Sequence, residues 1–116
     1  MKPSEQRIAL SRFSGYWAGE TRKGLWVLHK PDGNLGDVWA SSEEAAWIKN
    51  TPDYLGDLNA MQQICRTLTP KQRTVLAHRL SCMLADGAKT EDFATVYATA
   101  AQRAEALLRT LNLWTS

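Results

Sequence analysis

Two carboxylates and an amide lie close together near the start of a predicted helix: Asp53, Asp57 and Asn59. Carboxylate and amide oxygens are the ligands that hard cations prefer, so these side chains could surround a metal ion or a polar ligand. The alternative, which we favour, is that Asp53 complements the positive N-terminus of the helix and that Asp57 is solvated.

The remaining nucleophiles and metal ligands form no catalytic pattern. Cys65 and Cys82 each lie among apolar residues of a predicted helix, which favours two buried, reduced thiols over a disulfide or a reactive pair. His29 and His78 are isolated in the sequence, so we predict no metal site and no cofactor. The seven glycines are scattered and form no phosphate-binding loop. We therefore expect a protein that is not an enzyme.

Basic and aromatic residues are concentrated near the N-terminus. Residues 1–30 carry six basic and two acidic side chains, whereas residues 31–62 carry one basic and six acidic ones. Basic and aromatic side chains together can form an anion site. In such a site an aromatic ring stacks on a base, and a guanidinium holds a phosphate. The residues predicted to form it are Arg12, Trp17, Arg22, Lys23, Trp26 and Lys30. The alternative is a solvated charged face with the tryptophans in the core.

The chain has five tryptophans, more than a small core buries easily. Trp is favoured at the hot spots of protein interfaces, because it offers a large apolar area together with a polar N–H. We predict Trp39, Trp47 and Trp114 as interface residues, with burial in the core as the equal alternative. The aromatic surplus also favours a homodimer.

Length and composition restrict the classes of protein that remain. The chain has 116 residues, of which 44% are hydrophobic and 22% charged, as expected for one globular domain over residues 1–116. A net charge of +2 is too balanced for a DNA mimic or a strongly basic nucleic-acid binder. The N-terminal segment lacks the apolar region of a signal peptide, and no window approaches the roughly 18 apolar residues of a membrane span. We therefore expect a cytoplasmic protein without a membrane partner.

A β-hairpin is predicted in the first half of the chain. Leu25–Leu28 is an apolar run rich in strand-forming residues, and Val38–Ala40 is the predicted returning strand. Between them, Pro31–Asn34 has turn composition, since proline presets the first turn dihedral and Gly33 tolerates positive φ. A hairpin is not stable alone, so we expect it to pack against helices and a further strand, for which Phe93–Tyr97 has the composition.

Capping residues mark most starts of the predicted helices: Ser41, Thr69 and Thr99 each have Glu or Gln three residues later, a pair that satisfies two backbone N–H groups, and Ser4 is a plain N-cap. These helices begin at or near Ser4, Ser41, Asp53, Thr69 and Thr99, and the first of them ends near Trp17. The buried face predicted for the helix after Thr69 consists of Val75, Leu76, Leu80, Met83 and Leu84. Helices and strands do not alternate regularly. The predicted fold is therefore α+β, a single domain with a small antiparallel sheet, the hairpin plus one strand, sandwiched between helices.

Two segments are distinctive beyond their periodicity: TPDYLGDLNAMQQI, from Thr51 to Ile64, and YATAAQRAEALLRTLNLW, from Tyr97 to Trp114. Both resemble motifs of the phage ABA sandwich domain family, and the order of segments along the chain is also similar. The resemblance implies an antiparallel sheet between helical layers and an origin in phages or prophages. It implies no catalytic residues. Gly56 and Gln62 stand where that family usually has Asn and His.

Together these observations predict a phage- or prophage-encoded accessory protein that acts by binding in the cytoplasm of a bacterial host. We expect it to block a host process or an antiviral defence, as an anti-CRISPR-type inhibitor does, through a protein interface. This function follows from the implied origin and not from residue chemistry. One alternative is an oligomeric sponge that holds a signalling nucleotide in the basic, aromatic pocket. The other is a minor virion or DNA-packaging component.

Overall fold

A computed structural model describes residues 1–83 and 99–115 of the chain. Within these ranges the chain forms five helices and a two-stranded antiparallel sheet: α1 (Pro3–Phe13), β1 (Trp17–Glu20), β2 (Trp26–His29), α2 (Glu43–Asn50), α3 (Leu58–Cys65), α4 (Pro70–Met83) and α5 (Ala100–Thr110). The α+β class with a small antiparallel sheet is confirmed. The third strand predicted at Phe93–Tyr97 lies outside the described residues, as does Leu84.

The chain divides into two compact units. The N-terminal unit, Lys2–Pro52, contains α1, both strands and α2, and the C-terminal unit, Asp53–Ser116, contains α3, α4 and α5 and is grouped with Met1. In the N-terminal unit, α2 packs against β2, α1 and β1, and in the C-terminal unit α5 packs against α4 and α3. Each unit therefore has its own set of packed elements.

The first helix is shorter than predicted at its C-terminal end. Lys2 is its N-cap, and Pro3 occupies the first helical position, where its missing N–H costs nothing. The helix ends at Phe13, and Gly15 has φ +104°, a left-handed conformation that reverses the chain direction. Trp17 consequently begins a strand, and its predicted place at the end of the helix was wrong.

The strand that pairs with β2 is also different from the predicted one. β1 runs antiparallel to β2, with Trp17 opposite His29 and Glu20 opposite Trp26. The predicted partner, Val38–Ala40, contributes only a single bridge between Trp26 and Ala40. Glu20 and Ala40 both pair with Trp26, so β1 and the returning segment lie on opposite edges of β2, and the returning segment is held there only by the bridges at Leu35 and Ala40.

The turn predicted at Pro31–Asn34 is present and leads from β2 to Leu35. The Lys30 N–H donates to the Asn34 carbonyl at 2.8 Å, and Gly33 has φ +89°. The Asn34 N–H donates to Asp32 Oδ1 at 2.9 Å, and this hydrogen bond lowers the pKa of the Asp32 carboxyl. Leu35 then forms an antiparallel bridge with His29, which fixes the segment beside β2.

Arg7 of α1 binds the C-terminal end of α2. Its guanidinium donates to the Ile48 carbonyl at 2.6 Å, to Thr51 Oγ1 at 3.0 Å and to the Thr51 carbonyl. Thr51 is buried and donates its own hydroxyl to the Trp47 carbonyl at 2.6 Å. A cation here satisfies carbonyls that have no partner within the helix and complements the negative end of the helix dipole.

In the C-terminal unit, the helix starts predicted at Thr69 and Thr99 are confirmed, whereas the helix predicted to begin at Asp53 begins only at Leu58, because Asp57 and not Asp53 is its N-cap. Thr69 and Gln72 exchange side-chain and backbone hydrogen bonds at 2.9 and 3.2 Å, and Thr99 and Gln102 do so at 2.9 and 3.1 Å. The buried apolar residues of the three helices include Met61, Ile64, Leu76, Leu80, Ala104, Leu107 and Leu108. Val75 and Met83, predicted to be buried, are exposed because α4 turns Leu76 and Leu80 inward.

The Arg7 contact leads to a stability prediction. Replacing Arg7 by Met leaves the carbonyls of Ile48 and Thr51 without their charged donor, so the free energy of unfolding should fall by about 2 kcal/mol. Urea unfolding followed by circular dichroism measures the change. The matched control is Arg22→Met at an exposed position, which should cost less than about 0.5 kcal/mol. Equal losses in the two variants would show that the cap contributes nothing specific.

Candidate functional site

The two faces of the hairpin have different surroundings. Because side chains alternate along a strand, the register places Trp17, Gly19, Val27 and His29 on one face and Trp26 on the other. The Trp17 side of the hairpin carries a groove, which is described next. Trp17 and Trp26, predicted to share one site, therefore lie on opposite faces.

Trp17 and His29 form a stacked pair across the two strands. Their ring centroids are 3.5 Å apart and the ring planes differ by 1°. Gly19 lies beside the pair, and a Cβ at this position would be in van der Waals contact with both rings, at 3.4 Å. Trp17 is still 55% exposed, so the indole is held flat against the imidazole while much of its surface faces solvent.

The exposed face carries a groove of about 360 Å³. We call it the aromatic groove and define it by Trp17, Gly19, Val27, His29, Leu35 and Trp39. Glu20 and Thr21 complete its rim at the end of β1. No Lys or Arg is among the described residues that line it, so its floor and walls are mainly apolar.

Asn50, the last residue of α2, holds the segment that carries Trp39. Its side-chain amide accepts from the Val38 N–H at 3.0 Å and donates to the Val38 carbonyl at 2.7 Å and to the Ala46 carbonyl at 2.8 Å. Gly36 is needed for this approach, because a Cβ there would lie 2.6 Å from Asn50 Oδ1. The wall formed by Leu35 and Trp39 is thus fixed to a helix terminus.

The predicted anion site is not assembled. Arg12 lies 3.6 Å from Glu43 Oε1 and 5.3 Å from the ring of Trp47, and is therefore engaged by α2. Arg22 and Lys23 are exposed in the turn between the strands, and Lys30 precedes the next turn, near Asp32. Strand alternation places Trp17 and Trp26 on opposite faces, and the Glu43 ion pair holds Arg12 against α2, so these three residues do not form one site.

The three predicted interface tryptophans have different environments. Trp39 is 51% exposed in the aromatic groove, whereas Trp47 is 2% exposed in the core of the N-terminal unit. Trp47 cannot serve as an exposed interface residue, because α2 begins after the N-cap Ser42 and directs this side chain inward. Trp114 is half-buried, with the guanidinium of Arg109 4.7 Å from its ring centroid.

The acidic cluster around residue 55 has a structural role. Asp53 Oδ1 accepts from the Gly56 N–H at 3.2 Å, and Asp57 is the N-cap of α3, accepting from the Asn59 N–H at 2.9 Å. Gly56 lies against the Asp53 carboxylate, so a Cβ at this position, 2.3 Å from Asp53 Oδ2, would displace that side chain. Across residues 1–83 and 99–115, no group of three His, Cys, Asp or Glu side chains is placed to hold a metal ion.

Both cysteines are free thiols, and only one of them is shielded from solvent. Cys65 is half-buried, and burial raises the pKa of its thiol, although Arg103 and Arg73 oppose the effect. Cys82 is exposed on α4, contrary to the prediction of a buried thiol, with its Sγ 3.8 Å from His78 Nε2. Sequence reasoning treated His78 as isolated, although a spacing of four residues on a helix places both side chains on one face.

No protein-family model, curated protein or solved structure matches the chain. The resemblance to the phage ABA sandwich domain family therefore remains a prediction from the two sequence segments. In the part of the chain that the structure describes, no helix has the length and apolar character needed to cross a bilayer.

The role of Asn50 can be tested by hydrogen exchange. In Asn50→Ala the Val38 amide loses its acceptor, so its exchange with solvent should become about fivefold faster, as expected for the loss of one hydrogen bond. Amide exchange resolved by NMR gives this rate directly. Asn59→Ala is the control, since the start of α3 uses the Asn59 backbone and not its side chain. An unchanged rate at Val38 in Asn50→Ala would contradict the proposed clamp.

Proposed function

We propose that the chain is a non-enzymatic binding protein whose aromatic groove holds an apolar segment of a protein target. By occupying that segment, it blocks a surface that the target needs. The resemblance to a phage family supports a phage- or prophage-encoded accessory protein and a target in the bacterial host, such as a component of an antiviral defence.

The observation that carries this proposal is the exposure of two large indoles on one groove. Trp17 and Trp39 are 55% and 51% exposed and line the same groove. Burying the remaining area of one such ring removes on the order of 100 Å² of apolar surface from water, which contributes about 2–3 kcal/mol. Exposed aromatic side chains of this kind are the anchors that dominate the binding energy of protein interfaces.

The groove also requires little ordering before it binds. Trp17 is already stacked on His29, and Asn50 already fixes the segment that leads to Trp39. Side chains that are immobilised in the free protein lose less conformational entropy on association. More of the gain from burying the indoles therefore remains as affinity.

The charge of the groove favours a protein over a nucleotide. A phosphate needs Arg or Lys donors, and the described lining residues include neither. Glu20 on the rim would repel a phosphate group. This is the reason for preferring an apolar protein segment to the nucleotide sponge that the sequence also allowed.

The edge of the hairpin favours an extended segment as the occupant. Among the described residues β1 pairs only with β2, and no described strand lies along its second edge. A strand added to this edge gains main-chain hydrogen bonds, and its alternate side chains face the groove beside Trp17. We expect the target segment to be extended, with apolar residues at every second position.

The proposal predicts which variants lose binding. A display library of bacterial protein fragments is selected on the immobilised protein, and the recovered segments are titrated by calorimetry. Trp17→Ala and Trp39→Ala should each weaken binding about thirtyfold, the effect of removing a hot-spot aromatic worth about 2 kcal/mol. The recovered segments should alternate apolar and polar residues.

Phe13→Ala is the matched control, because Phe13 is an exposed aromatic residue on α1 and does not line the groove. Its affinity should equal that of the unmodified protein. Selected fragments that bind Trp17→Ala and Trp39→Ala as tightly as the unmodified chain, or a selection without specific binders, would overturn the proposal.

A further inference from the structure

A second groove, of about 390 Å³, lies between α4 and α5 in the C-terminal unit. Its lining residues are Val75, His78, Arg79, Cys82, Met83 and Arg109, and we call it the thiol groove. The α4 segment carries three basic residues and no acidic one in the sequence PKQRTVLAHRLSCM. Cys82 is exposed, and the charged residues among the described lining of its groove are Arg79 and Arg109.

Cys82 and His78 form a thiol–imidazole pair on one face of α4. Their Sγ and Nε2 atoms are 3.8 Å apart, within the range of a hydrogen bond to sulfur. The thiolate is the nucleophilic form of cysteine, and an adjacent imidazole can accept the thiol proton as the sulfur attacks. The pair thus combines a nucleophile and a base in an accessible place.

Two guanidinium groups flank this pair. Arg79 lies one residue after His78 on α4, and Arg109 reaches the groove from α5. Arg109 is held by its ion pair with Glu105 at 3.7 Å and by the ring of Trp114 at 4.7 Å. Guanidinium groups bind carboxylates with charge-assisted hydrogen bonds, so Arg79 suits the groove to a reagent that carries carboxylates, whereas Arg109 is already paired with Glu105.

We propose that Cys82 is a modification site that undergoes thiol–disulfide exchange with small anionic disulfides, of which glutathione disulfide is the representative. The Cys82 thiol passes its proton to His78 Nε2, and the sulfur attacks one sulfur of the disulfide. A new S–S bond forms to Cys82 as the original S–S bond breaks. The departing thiolate takes the proton from His78, so the products are a mixed disulfide on Cys82 and one small-molecule thiol.

Cys65 provides an internal comparison within the same chain. It is half-buried, and burial raises the pKa of its thiol, which reduces the thiolate available for attack. The small disulfide should therefore modify Cys82 and leave Cys65 reduced in the folded protein. The two sites are separable by tryptic peptide mapping, since cleavage at Arg66 and Arg79 places them in different peptides.

The test compares disulfides of opposite charge. The protein is treated with glutathione disulfide, which is anionic, or with cystamine, which is cationic, and mixed disulfides are followed over time by mass spectrometry. With glutathione disulfide, Cys82 should react at least about tenfold faster than Cys65, and added salt should reduce that rate. Cys82→Ser should remove the fast phase, and Cys65→Ser should retain it.

Arg79→Gln distinguishes the electrostatic role from simple exposure. It should slow the reaction of Cys82 with glutathione disulfide several-fold and leave the reaction with cystamine unchanged or faster. His78→Gln should slow both reactions, because it removes the proton acceptor. Circular dichroism of each variant checks that the fold is retained, and Arg79→Lys, which keeps the charge, should restore the rate if the fold is intact.

Three results would overturn the proposal. One is equal reactivity of Cys82 and Cys65 in the folded protein. Another is an equal effect of Arg79→Gln on the anionic and cationic disulfides. That result would mean that exposure of the Cys82 thiol, and not charge, sets the reaction rate. The third is a rate with glutathione disulfide that does not respond to salt, since attraction between exposed charges must be screened.

Discussion

The N-terminal unit depends on the charge of Arg7 at the C-terminal end of α2. The guanidinium supplies donors to carbonyls of Ile48 and Thr51 that the helix itself leaves unsatisfied. Because this contact joins α1 to the end of α2, it also fixes Asn50, the residue just before Thr51. Asn50 in turn holds Val38 through two hydrogen bonds and so places the Trp39 wall of the aromatic groove. A half-buried cap at a helix end is thus linked to the geometry of an exposed surface.

The parts of the fold that the sequence predicts well are those set by contacts three or four residues apart. Thr69 with Gln72 and Thr99 with Gln102 mark helix starts because each pair satisfies backbone groups of its own first turn. Strand pairing is different, since it depends on which segments the chain brings to each edge of β2. The reversal after α1 delivers Trp17–Glu20 to one edge, while Leu35 and Ala40 bridge to the other. Gly15, with φ +104°, permits that reversal, but a glycine alone does not show where the next segment will pair.

The candidate sites were harder to predict because they also depend on how the helices pack, and not only on contacts three or four residues apart. Trp39 and Trp47 have equal tendencies to lie at an interface, and only the packing of α2 decides that Trp47 is buried. On α4, Val75 and Met83 extend the apparent apolar stripe, which obscures the orientation set by Leu76 and Leu80. Once the orientation of α4 is known, the four-residue spacing of His78 and Cys82 places both side chains on its exposed face.

The separation of aromatic and cationic side chains also bears on function. A site for a nucleotide needs a ring to stack on the base and a cation to hold the phosphate within one ligand's length. Here the exposed indoles of Trp17 and Trp39 line a groove without Lys or Arg among its described residues, while Arg79 and Arg109 line a groove with a thiol. The described lining residues of each groove belong to a single unit, so each groove is considered by itself. The aromatic groove suits an apolar segment, and the thiol groove suits a small anionic electrophile. Neither groove has, among its described lining residues, the groups that the other ligand needs.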